Sequence, residues 1–189
     1  AQRELPYRSF DIDAGIDHLQ QFGVKYYAAS SQVATEKAKQ HSSLTQIANS
    51  GPWTIFKVKN SELVTQLDFE PAVFTQLEHS EWLDPSVEVF QKGSQAVVRT
   101  LGGMDHWQYV DLEEEPERIG LPRVEISEIN VDTDRIEFKV DEIGVPVIVK
   151  TSYFPNWKVE GAKGPWRATP NLMVVVPTEK EVTLDYSRS

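Results

Sequence analysis

Three observations predict an α+β fold for this chain. The first third alternates helical and strand periodicities. The last third breaks into short strands spaced about ten residues apart, and a proline-containing acidic segment joins the two. The expected arrangement is a small α/β unit over 1–110, a connector over 111–122 and an antiparallel β-sandwich over 123–189, packed together.

Each element follows from local residues. "DIDAGIDHLQQFG" places Ile12, Ile16 and Leu19 at helical spacing, opens on Asp11 and closes on Gly23, which suits the left-handed position after a helix. "VKYYAAS" is a short strand rich in β-formers. "SQVATEKAKQH" opens on Ser31 as an N-cap, and with only Val33, Ala34 and Ala38 apolar it reads as an exposed helix. "SLTQIANSGP" reads as a short helix stopped at Gly51-Pro52, and "WTIFKVK" alternates with period two as a strand. Helices packed on a small sheet follow for these first sixty or so residues.

In the middle, "AVFTQL" is a strand and "SEWLDPSVEVFQKG" a helix that begins at Asp84 with Pro85 in its first position, placing Trp82, Val89 and Phe90 on or near it. "LGGMDHW" is a loop and "DLEEEPERIGLP" the connector. From Arg123 the strands are "VEISEI", "RIEFKV", "VPVIVKTSYF", "WKVEG", "WRAT", "LMVVVP" and "EVTLDY". Turn residues at Asp132-Thr133-Asp134, Gly144, Gly161 and Pro177 separate them. Alternation turns Val147 and Val149 inward and Ile148 and Lys150 outward, with Tyr153 continuing the inner face. Pro155 then ends pairing, and Trp157 covers an open end of the sandwich.

Composition narrows the function classes. A net charge of −10 argues against nucleic acid, which demands a basic face, and against charge-driven docking on anionic lipid. No stretch approaches the roughly 18 apolar residues of a membrane span. The absence of cysteine removes disulfides and thiol chemistry. Phosphate-cradling glycine loops, dinucleotide fingerprints, nucleophile elbows and zinc-protease helices are missing. The four histidines, His18, His41, His79 and His106, are scattered, so no metal or cofactor is expected. "DTD" at 132–134 fits a turn better than a cation site. "DLEEEPE" lacks the spacing of a calcium loop and reads as a solvated linker.

Two chemical readings remain. Asp105 and His106 after Gly102-Gly103 look like a loop acid/base pair, and a hydrolase would draw on Asp105 with Glu81 or Asp84. A carbohydrate module would instead stack sugar on exposed Trp157 or Trp166, assisted by Tyr153, Asn156, Lys158 and Arg167. Those six residues are the candidate ligand-binding set, set against a reading in which the rings are core.

"GVPVIVKTSYFPNWKVEGA" and "TPNLMVVVPTEKEVTLDY" resemble the extracytoplasmic C-terminal part of polytopic bacterial membrane proteins. These are the YfhO-type and actinobacterial glycosyltransferase-like families, the latter labelled as related to 6-pyruvoyl-tetrahydropterin synthase. The shared turn here is Tyr153, Pro155 and Trp157. "ELPYRSFDIDAGIDHLQQFGVKYYAASS" and "SGPWTIFKV" are similar to the segment those proteins carry after a membrane helix, and "WLDPSVEVF" matches more loosely. The resemblance implies a domain cut from a longer protein and exported by upstream membrane helices. Its partners would be the rest of the membrane-embedded parent and cell-envelope glycan. It transfers no catalytic residue to this chain. The expected role is non-catalytic, scaffolding or binding of glycan or acceptor on the outer face of the cell membrane.

Overall fold

Strand pairing divides the chain at a different place from the acidic connector. The computed structural model describes residues 11–77 and 79–187, the side chains of His79 and Ser80 excepted; the start of the N-terminal resemblance, residues 4–10, lies outside the described residues. The fold is α+β, with three α-helices and fourteen strands among the described residues. Two compact units emerge, Ala1–Leu63 and Val64–Ser189.

The first unit carries helix α1 (Ile12–Gln21), strand β1 (Tyr26–Ala29), helix α2 (Gln32–Gln40) and strands β2 (Leu44–Ser50) and β3 (Trp53–Val58). Asp11 caps α1 by accepting hydrogen bonds from the Asp13 and Ala14 amides, and Ser31 caps α2 by accepting from Ala34. Gly23, with φ 65°, ends α1 as its sequence position suggested. The sheet is antiparallel in the order β1-β3-β2. Ile16, Ala29, Ala38, Leu44, Phe56 and Val58 form its core, and the Tyr27 and Phe56 rings lie 6.2 Å apart. The expected helix over "SLTQIANSGP" is instead β2, one arm of a hairpin that turns at Gly51-Pro52. Leu44 and Ile47 mimic helical spacing, but a register shift between Gln46 and Ala48 absorbs the extra residue and keeps Leu44 on the buried side.

The second unit holds β4 (Val64–Gln66), β5 (Ala72–Phe74), α3 (Leu83–Lys92), β6 (Arg99–Leu101), β7 (Tyr109–Val110), β8 (Ile126–Val131) and β9 (Arg135–Val140). It continues with β10 (Val147–Val149), β11 (Trp157–Glu160), β12 (Ala162–Ala168), β13 (Leu172–Pro177) and β14 (Glu181–Tyr186). One sheet has seven strands in the order β4-β10-β13-β12-β6-β5-β7, the other four in the order β11-β14-β9-β8. Residues 64–110 therefore share a sheet with β10, β12 and β13, and the segment 111–122 runs inside this unit instead of dividing domains. The seven-stranded sheet is also not wholly antiparallel. β5 pairs in parallel with β6 and with β7, and α3 lies on the connection from β5 to β6.

Two local expectations change. α3 begins at Leu83, continuing a 3₁₀ turn over His79–Trp82, so Pro85 is its third residue and not its first. Trp82 already has helical angles, φ −63° and ψ −26°, so no separate cap is needed at Asp84. Strand β10 ends at Val149, and its outward residue Ile148 is buried like Val147 and Val149. Pairing with β4 on one side and β13 on the other makes it an inner strand, where both faces meet apolar neighbours.

Candidate functional site

The structure distributes the six candidate ligand residues over three places. Trp157 begins β11 and is 7% exposed. Its ring and that of Tyr186 pack edge-to-face at 5.3 Å, and its burial leaves no indole face open for a sugar to stack upon. Asn156 donates its amide to the Ser187 carbonyl at 3.0 Å, and Lys158 is exposed opposite Asp185. Tyr186 also meets Phe154 edge-on, leaving Phe154 half-exposed.

Trp166 lies elsewhere, on β12. Its ring packs edge-on to the buried Trp107 at 5.3 Å and against Gly102, where a Cβ would stand 2.9 Å from the indole. Neighbouring residues on a strand point to opposite faces, which separates Trp166 from Arg167.

Arg167 and Tyr153 come together at a third place. The Arg167 guanidinium carbon lies 4.2 Å over the ring of Trp82. Trp82 is held by packing edge-on to Phe74 and by donating its indole N–H to the Pro170 carbonyl at 2.7 Å. The Ser86 hydroxyl also reaches that carbonyl, at 2.9 Å. Arg167 Nε donates to Asn171 Oδ1 at 2.9 Å across the β12–β13 turn. The backbone of Tyr153 donates to Asn171 O at 3.0 Å, which brings the phenol within electrostatic range of the guanidinium. Burial pushes the Arg167 pKa down, and Tyr153 opposes that shift. Sequence reasoning selected Arg167 and Tyr153 but missed Trp82 and Asn171. Asn171 sits in a hairpin turn four residues away, a readable cue, whereas no linear pattern links Trp82 to β12.

A second polar cluster is charge-paired from within, with Arg99 Nε its one buried atom lacking a partner among the described residues. Arg99, 3% exposed on β6, pairs with Glu88 of α3 at 2.9 Å and with Glu115 at 3.4 Å. Lys92 bridges the same two carboxylates at 2.8 Å each. Hydrogen bonds from Arg99 and then Lys92 hold the Glu88 carboxyl below its ordinary range. The acidic connector is thus tied down through Glu115 and is not merely a solvated linker.

The remaining motifs find ordinary places. Asp132 Oδ1 accepts from the Thr133 amide in the β8–β9 turn. His106 is exposed and lies 3.9 Å from Glu70, while Asp105 sits in the β6–β7 loop. His41 pairs with Asp13 at 2.9 Å. Among the described residues, no three His, Asp or Glu side chains are grouped as a metal site. No helix there is long and apolar enough to cross a membrane.

Comparison with known proteins gives no match to a family model, to a curated protein or to a solved structure.

Proposed function

We propose that this chain is a non-catalytic domain on the extracytoplasmic face of a multi-pass membrane protein engaged in cell-envelope glycan assembly. In this reading the N-terminal helices and sheet form an α/β unit, and the buried faces of the seven- and four-stranded sheets pack as a sandwich. The domain scaffolds the parent protein or binds its glycan or acceptor, and the rest of the parent is its partner. The observation that favours it is the use made of the aromatic turn. Trp157 is spent on Tyr186, and the Arg99 cluster is neutralised from within, so these groups serve architecture and not bond making.

The test uses the complete open reading frame in its native membrane. Protease added outside intact spheroplasts should cleave this domain, and the isolated domain should release no sugar from nucleotide-linked or polyprenyl-linked donors. Protection in spheroplasts, with cleavage only in inverted vesicles, would remove the compartment. Turnover by the isolated domain would remove the non-catalytic role.

A further inference from the structure

We propose that Arg167, Asn171 and Tyr153 form a receptor for a small oxyanion, the carboxylate or phosphate monoester of a low-molecular-weight ligand. The guanidinium is fixed twice, by stacking on the buried Trp82 ring and by the bond from Nε to Asn171. Those contacts use one face and the inner nitrogen. The two terminal nitrogens have no protein acceptor among the described residues, nor do the Asn171 side-chain NH₂ or the Tyr153 hydroxyl. They are not sealed inside the protein either, because the buried polar atoms left without partners there are Gln21 Oε1 and Arg99 Nε.

This arrangement contrasts with that of the four most heavily paired cations, although Arg118, stacked over Phe69, also forms no ion pair among the described residues. Lys92, Arg99, Arg135 and Lys139 each pair with two carboxylates. Arg167 forms no ion pair among the described residues, although it is half-buried and acids outnumber bases by 29 to 19 over the whole sequence. A planar fork with both outer nitrogens open matches two oxygens of a carboxylate or phosphate bidentately. Stacking removes the rotamer freedom that binding would otherwise have to quench, so the fork is preorganised. Asn171, bonded to Nε, adds a neutral donor beside it, and Tyr153, near enough to act electrostatically on the guanidinium, offers its hydroxyl as another. The inference goes beyond the envelope reading and stands on these side chains whatever compartment the domain occupies.

The experiment follows the Arg167 Nε–H resonance of the full chain during titration with glucuronate, glucose 1-phosphate and uncharged glucose. A saturable shift with either anion and none with glucose is expected. Response to glucuronate alone identifies a carboxylate ligand, and response to the phosphate alone identifies a phosphoryl ligand. Arg167→Lys, which keeps the charge and loses the fork, should weaken binding by about tenfold or more. Tyr153→Phe should weaken it severalfold while leaving the unfolding midpoint unchanged. The proposal is overturned if neither anion gives a saturable shift at millimolar concentration, or if glucose shifts the resonance equally. It is also overturned if Arg167→Lys binds as the parent does. Should Arg167→Lys fail to fold, undiminished binding by Tyr153→Phe overturns it.

Discussion

Single residues decide how the aromatic turn is read. Trp157 is buried against Tyr186, while its neighbour Lys158 on the same strand is exposed. Trp157→Ala should therefore cost about 3–5 kcal/mol in guanidinium unfolding, and Lys158→Ala should stay within about 0.5 kcal/mol of the parent. Equal, small effects would mean that the ring is not core. Gly15 offers the opposite case. It lies inside α1, beside an apolar cleft of about 180 Å³ bordered by Ile12, Ile16, Leu19 and Tyr27, and an added Cβ meets nothing within 4 Å. Gly15→Ala should stabilise the first unit by about 1 kcal/mol through helix propensity, read as a higher unfolding midpoint. At this scale the inward aim of Trp157 was legible, because Pro155 forces a turn and the indole returns on a strand. The stacking of Arg167 on Trp82 was not, because it joins residues on a helix start and a distant strand.

Elements were legible where one period dominated. β9, β13 and β14 occupy the very residues that alternation or an unbroken apolar run marks out. β2 is a strand against its local spacing because a hairpin partner, β3, outweighs the weak helical spacing of Leu44 and Ile47. The start of α3 shifted because the preceding 3₁₀ turn already supplies helical backbone. The union of α3, β6 and the connector through Glu88, Lys92, Arg99 and Glu115 makes a prediction about acid. The folded-state pKa of Glu88 lies below its ordinary value, so its contribution to stability is complete above about pH 4.5, the ordinary value. That contribution is lost as pH falls from there through the lower folded value. Glu88→Gln should unfold at a lower temperature than the parent at pH 7, and the gap should narrow as pH drops below 4. A gap that is constant with pH in thermal scans would show that the carboxylate charge is not what stabilises the junction.

The whole molecule was legible in class and not in its division. Helical periods early and strand periods late point to α+β, whereas the most polar segment does not mark the boundary between the units. Sheets are assembled by pairing between distant strands, and composition does not record that β6 lies beside β12 or that β4 lies beside β10. Both larger sheets and their buried valines lie after Leu63. A protein comprising residues 64–189 should therefore fold alone, with dispersed amide resonances and one cooperative thermal transition. A fragment cut instead at Arg123 loses β4, β5, β6 and β7 and should lack both properties.

The placement of β13 has a further consequence. "LMVVV", residues 172–176, is a buried apolar run without a charge, of the kind that pairs with other strands when it is left uncovered, and Pro177 closes it. Here β10 and β12 flank it, and the outermost strands of its sheet, β4 and β7, are only three and two residues long. A stray molecule finds almost no ladder on this sheet on which to add itself, so the stickiest sequence in the chain is quarantined by its neighbours.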